Sequence, residues 1–155
     1  MRLLFVNQTL GYAGNSSYTL DLALALRNLG HEVQVVDLCF REDVEAAVVE
    51  AVDAHRPGVV GLSLRNVDNC AYPDTVSYLP HYRHVVAACR AASAAPLVLG
   101  GAAFTTMPAY YLPVLRVPYG VVGEGEVTFV RLLERLAAAA APNDLPGLAT
   151  WDRAT

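Results

Sequence analysis

Ser63, Arg65, Asn66, Asp68 and Asn69 follow directly on Gly58–Leu62, a run of almost pure Val, Gly and Leu. An arginine, a carboxylate and two amides at the buried edge of a sheet need mutual pairing to offset desolvation, and such a cluster can equally serve a polyfunctional ligand. A self-satisfied Arg65–Asp68 turn is the competing reading. A second polar segment, Asn7-Gln8-Thr9-Leu10-Gly11-Tyr12-Ala13-Gly14-Asn15-Ser16, feeds an amphipathic run. Backbone N–H groups at such a helix start can meet an anionic or amide-bearing ligand. Its glycines do not fit G-x-G-x-x-G, and Asp37 alone does not rescue a dinucleotide fingerprint, so a plain strand-to-helix turn is the alternative. Two further segments, Gly100-Gly101-Ala102-Ala103-Phe104 and Val122-Gly123-Glu124-Gly125-Glu126, remove side chains where a flat or bulky group must approach the backbone. Glu124 and Glu126 stand where a helix is expected to start, and favouring its dipole is their simplest role.

Other chemistries fare poorly. His81 and His84 share a helical face, but no Cys or carboxylate at suitable spacing joins them, so a solvated face is expected. Cys39, Cys70 and Cys89 match neither a disulfide framework nor a zinc pattern, which points to a reducing compartment. No nucleophile elbow, P-loop or Cys–His dyad occurs. All 11 cations are Arg and 15 carboxylates outnumber them, so no basic stripe exists and a nucleic-acid partner is not expected. With 54% apolar and 17% charged residues the chain is no disordered segment. The run Leu3–Val6 falls far short of the roughly 18 residues that span a bilayer, so no membrane partner is expected and the protein reads as soluble and cytoplasmic.

The 155 residues amount to about one domain. Periodicity predicts strands over Leu3–Asn7, Glu32–Leu38, Gly58–Leu64, Pro96–Gly100 and Tyr119–Val122. Between them lie helices. The first, Ser16–Leu29, has Asn15 or Ser16 as cap, Leu22, Leu26 and Leu29 on one face, and Gly30 beyond its end. Val44, Val48, Ala51 and Val52 mark the second, and Val85, Val86 and Cys89 the third. Tyr110–Arg116 reads as a short, Pro-interrupted fourth, and Phe129, Leu132, Leu133 and Leu136 mark the last. Strict alternation predicts an α/β, flavodoxin-like (Rossmann-like) fold: a five-stranded parallel sheet of order 2-1-3-4-5 with helices on both faces. Ligands then bind beyond the carboxyl ends of the strands, where the polar and glycine-rich segments fall. Residues 1–141 read as the domain and 142–155 as a linker. Leu148-Ala149-Thr150-Trp151 looks like a β segment with nothing to pair with, as in a chain cut from a longer protein. Tyr72, Tyr78, Tyr82, Tyr110 and Tyr111, in or beside the loops, are candidates for a surface that meets a partner domain.

Taken together, the loops resemble the N-terminal cobalamin-binding domain of cobalamin-dependent radical SAM enzymes of methyltransferase type. The resemblance rests on Gly61–Asn69, Tyr78-Leu79-Pro80, Ala95–Gly101 and Tyr119–Glu126, with Leu145-Pro146-Gly147-Leu148 similar to the link into the radical SAM barrel. It implies that cobalamin meets Asn7, Gln8, Thr9, Leu10, Ser63, Leu64, Arg65, Asn66, Asp68, Asn69, Gly100, Gly101, Ala102, Phe104, Gly123, Glu124 and Gly125. Of these, Ser63 and Leu64 are implied to line a slot for the nucleotide tail, with Gly100 and Gly101 letting the benzimidazole pass. Two departures qualify the resemblance. The loop after the first strand lacks the D-x-H-x-x-G histidine that binds cobalt in methionine synthase and the mutases, which implies base-off binding with no His beneath the metal. The C-x-x-x-C-x-x-C motif is also absent, so the [4Fe-4S] cluster and S-adenosylmethionine are implied for a C-terminal radical SAM domain of the parent chain. Whether this chain is itself an enzyme stays open. A self-standing cobalamin carrier or sensor, or a flavin-binding or receiver-like signalling domain, are the alternatives. Arg65 is expected near the lower face of cobalt, where a guanidinium cannot ligate a metal, with Asn66, Asp68 and Asn69 holding it.

Overall fold

The computed structural model describes residues 1–8, 17–142 and 144–151. Its strands are β1 (Arg2–Asn7), β2 (Glu32–Asp37), β3 (Val59–Ser63), β4 (Leu97–Gly100), β5 (Tyr119–Val121) and β6 (Leu148–Thr150). The helices are α1 (Ser17–Asn28), α2 (Val44–His55), α3 (Leu79–Ala92), α4 (Ala102–Thr106), α5 (Pro108–Leu115) and α6 (Thr128–Ala137). All six strands form one sheet of order β2-β1-β3-β4-β5-β6. The first five are parallel, in the expected order, and β6 runs antiparallel to β5.

Side-chain alternation along the strands divides the apolar residues between two layers. Leu4, Val6, Leu62, Leu64 and Leu99 join Val48, Val52, Val85, Val86, Cys89, Leu112 and Leu115 from α2, α3 and α5. On the opposite face Leu3, Phe5, Val59, Val98 and Val121 meet Ala23 and Leu26 of α1 and Phe129, Leu132 and Leu133 of α6. The start of α2 is fixed by Asp43, whose carboxylate accepts from the Ala46 N–H at 2.9 Å, one of the helix's otherwise unpaired donors.

The structure departs from the sequence expectations in several places. The sheet has six strands rather than five, and Leu148–Thr150 does have a partner, because β5 would otherwise end the sheet with an open edge. The turn into β6 is stitched down: the Val122 N–H donates to the Gly147 carbonyl at 2.8 Å and the Thr128 hydroxyl to the Pro146 carbonyl at 2.9 Å. Residues 144–151 therefore include sheet as well as connection. Two helices, α4 and α5, stand where one was expected. Leu29 is 60% exposed, since α1 ends at Asn28 and the chain turns at Gly30, which has φ +83°. Leu26 is buried as expected with Leu22 packed partly against the same core, Ala23 joins them, and the expected cap at Asn15 or Ser16 lies outside the described residues. Glu124 and Glu126 precede the first turn of α6, which contains no acidic residue. Tyr82 and Tyr111 belong to the core, whereas Tyr72 is 97% exposed and Tyr110 49%. Among the described residues, no helix is long and apolar enough to cross a membrane.

The thiols provide a check on this packing. Cys89 is fully buried and burial pushes its pKa up to about 12, while Cys70 is exposed. Thiolate is the reactive species. In native protein at pH 8, iodoacetamide should modify Cys70 readily and leave Cys89 intact until denaturant is added, as peptide mass mapping would record. Alkylation of both at similar rates would contradict the buried position of α3.

Candidate cobalamin site

The parallel register aligns Asn7, Ser63 and Gly100 side by side at the carboxyl ends of β1, β3 and β4. Beside this edge, on the α1/α6 face, opens a cleft of about 600 Å³. Glycines of β3 and β4 line it, and the space beside Gly100 is open. Gly61 and Gly100 lie on the cleft side of their strands, and the Phe5 ring lies across the space that a Cβ on Gly61 would occupy. Phe5 in turn meets Phe129, with ring centroids 5.4 Å apart and planes tilted by 53°. The buried floor is thus Phe5, Val98, Val121 and Phe129, with Thr19 and Leu22 of α1 alongside. Leu62 and Leu99 line it too, although their side chains pack into the opposite core.

Towards solvent the lining becomes polar. Ser63, Arg65, Thr105, Thr106 and Glu124 surround the mouth together with Gly100, Gly101, Ala102, Gly123 and Gly125. Arg65 is exposed, and its guanidinium has no ion-pair or hydrogen-bond partner among the described residues. The Thr105 hydroxyl accepts from the Gly123 N–H at 3.0 Å and so ties α4 to the loop after β5.

The expected site residues separate into two groups. Ser63, Arg65, Gly100, Gly101, Ala102, Gly123, Glu124 and Gly125 come together around the cleft. Leu64 and Phe104 instead anchor the opposite core, where the Phe104 ring fills the space that a side chain on Gly120 would take. Asn66, Asp68 and Asn69 brace the loop between β3 and α3. The Asp68 carboxylate accepts from the Cys70 N–H at 2.8 Å, and the Asn69 side-chain carbonyl accepts from the Val76 N–H at 2.9 Å. The Asn66 carbonyl accepts from the Tyr82 hydroxyl at 2.5 Å; burial raises the pKa of that phenol, keeping it a donor. Asp68 and Asn69 therefore act on the loop, not on the guanidinium of Arg65. Asn7 and Gln8 are buried at the end of β1, and both polar atoms of the Gln8 side chain lack a partner among the described residues. Thr9 and Leu10 lie outside the described residues. Sequence reasoning missed the cleft's interior, Phe5, Thr19, Leu22, Gly61, Val98, Val121 and Phe129.

A glycine-walled slot with an aromatic and aliphatic floor and a hydroxyl-bearing rim suits a flat heterocycle carried on a polar tail, which is the form of the nucleotide end of cobalamin. Open parallel α/β sheets bind ligands across their carboxyl edge, which is where this cleft lies. The model of the B12 binding domain matches residues 17–133, and the chain belongs to that family. It is 34% identical over 135 residues to tryptophan 2-C-methyltransferase of Streptomyces laurentii, a match covering 84% of this chain and 22% of that protein. The structure of the radical S-adenosylmethionine methyltransferase TsrM from Kitasatospora setae, with tryptophan and a SAM analogue bound, superposes with a TM-score of 0.90 at 29% identity, covering 99% of this chain and 29% of that one. A cobalamin-binding protein from Desulfitobacterium hafniense shares the fold at 17% identity and a TM-score of 0.60, covering 86% of this chain and 57% of that one. The chain thus spans less than a third of the length of the methyltransferases it matches. These findings bear out the resemblance drawn from the loops.

Proposed function

We propose that the chain is the cobalamin-binding module of a radical SAM methyltransferase and holds the cofactor with its benzimidazole displaced from cobalt. The observation that carries this reading is the cleft, an apolar slot walled by Gly61 and Gly100 whose described lining contains no histidine. Such a cofactor supplies a cobalt centre able to carry a methyl group. The chain's own contribution is to bind and orient. Phe5, Val98, Val121 and Phe129 exclude water from a base placed between the sheet and α6, while Ser63, Thr105 and Thr106 offer hydroxyls to its polar tail. Arg65 contributes a fixed charge that cannot become a metal ligand, because a guanidinium stays protonated at any ordinary pH. With no ion-pair or hydrogen-bond partner among the described residues, it is available at the mouth, and the braced loop of Asn66, Asp68 and Asn69 positions its backbone. Tyr72 and Tyr110, exposed on the surface, suit contact with a radical SAM module. That module would carry the iron–sulfur cluster and S-adenosylmethionine, in keeping with the length of the related methyltransferases.

Titration of the purified chain with hydroxocobalamin, followed by reduction and electron paramagnetic resonance, tests the reading. The expected result is a stoichiometric complex whose cob(II) spectrum lacks nitrogen superhyperfine splitting. Splitting in the wild type, or no complex, would overturn it. Arg65→Leu should move the cob(II)/cob(I) potential to a more negative value, since a nearby cation favours the electron-rich state. An unchanged potential would reduce Arg65 to a surface residue.

A further inference from the structure

We infer that the cleft selects among cobamides by their lower base, accepting phenolic and benzimidazole bases and discriminating against adenine. The inference rests on the proposed placement of the nucleotide tail in the cleft. Phe5, Val98, Val121 and Phe129, the buried floor, carry no hydrogen-bonding side chain. Among the described residues, the deeply buried polar side chain on the lining is Thr19, 7% exposed. One hydroxyl provides a single donor and two lone pairs. An adenine base brings an exocyclic amine and additional ring nitrogens, so most of its hydrogen-bonding capacity would be stripped of water without replacement. Dimethylbenzimidazole presents two methyl groups and a phenolic base an almost wholly apolar ring, both matched to aromatic and branched aliphatic neighbours. The charged side chains of the lining, Arg65 and Glu124, are solvent-exposed at the mouth and offer nothing to a base on the floor.

A hydrophobic pocket rejects an analogue with added polar groups by about ten- to a hundredfold. The test is equilibrium dialysis of the purified chain against four probes: cobalamin, an adenine-containing cobamide, a p-cresol-containing cobamide and cobinamide, which lacks the nucleotide. The p-cresol base makes no bond to cobalt and the adenine base only a weak one, so comparing these two separates base recognition from the cost of displacing the base from the metal. The p-cresol cobamide should bind at least about tenfold more tightly than the adenine one. Cobinamide should bind more weakly than cobalamin. Equal affinity for the p-cresol and adenine forms, with cobinamide still weaker, would overturn the inference while leaving the tail-in-cleft reading standing. Cobinamide binding as tightly as the complete cobamides, or no binding of any probe, would overturn that reading and the inference with it.

Discussion

Gly101→Ala should remove about 3–5 kcal/mol of folding stability, a loss at the severe end of single substitutions. Gly101 ends the strand-to-helix turn between β4 and α4 with φ +92° and ψ 173°, a conformation that L-residues avoid. Strain alone costs about 1–3 kcal/mol. The surroundings add to it, because a Cβ there would sit 2.6 Å from the Leu64 carbonyl oxygen and 3.0 Å from the Leu64 carbonyl carbon and backbone nitrogen. Backbone cannot swing aside as a side chain can. Leu64 is held from both directions, its N–H donating to the Gly100 carbonyl at 2.8 Å and its carbonyl accepting from the Ala103 N–H at 3.0 Å. Gly30→Ala is the control. It has a similar φ of +83° but nothing within 4 Å of the added carbon, so its cost should be confined to strain, about 1 kcal/mol. Urea denaturation of the two variants beside the wild type measures the difference. Equal losses would show that the close approach of Leu64 does not govern this turn.

Gly101 also shows where sequence reading reached its limit. Two adjacent glycines after an apolar strand signal a close approach, and from sequence both read as room for a ligand. The structure divides the roles: the chain's own backbone requires Gly101 to be bare, while Gly100 opens on the cleft. The parallel strands were legible because each is a short apolar run bounded by turn residues, and their order followed from the alternation with helices. The strand β6 was not legible as a paired element, since three residues carry little periodicity and their partner β5 lies well back in the chain. The cleft's interior was hidden for a related reason. Phe5, Val98 and Phe129 have the composition and spacing of ordinary core residues, and what leaves a slot beside them is bare Gly100, where an added Cβ would find no heavy atom nearer than the Val121 carbonyl oxygen at 3.9 Å. One misplacement had a signal in the sequence. Leu64 shares its parity with Leu62 and opposes Ser63, so strand alternation alone assigns it to the other face.

Gly100→Leu should separate binding from folding. A Cβ at this position would find no heavy atom nearer than the Val121 carbonyl oxygen at 3.9 Å, and Gly100 does not have a positive φ, so a side chain is tolerated by the backbone. Leucine is also acceptable at a strand end. Stability in urea should therefore stay within about 1 kcal/mol of the wild type. The added isobutyl group points into the cleft between Ser63 and Val121 and occupies space that a flat base needs. Excluding the base from an apolar slot forfeits burial of most of its surface, and a loss of about 2.7 kcal/mol corresponds to about a hundredfold in affinity. Cobalamin binding should fall by that factor, whereas cobinamide, which has no base to insert, should bind the variant and the wild type alike. Gly101→Ala fails by losing the fold, and Gly100→Leu by keeping the fold and losing the ligand. If Gly100→Leu binds cobalamin as the wild type does, the base does not enter this cleft and the proposed site is wrong. If it unfolds instead, the space beside Gly100 is not open in solution, and the cleft does not have the shape on which the reading depends.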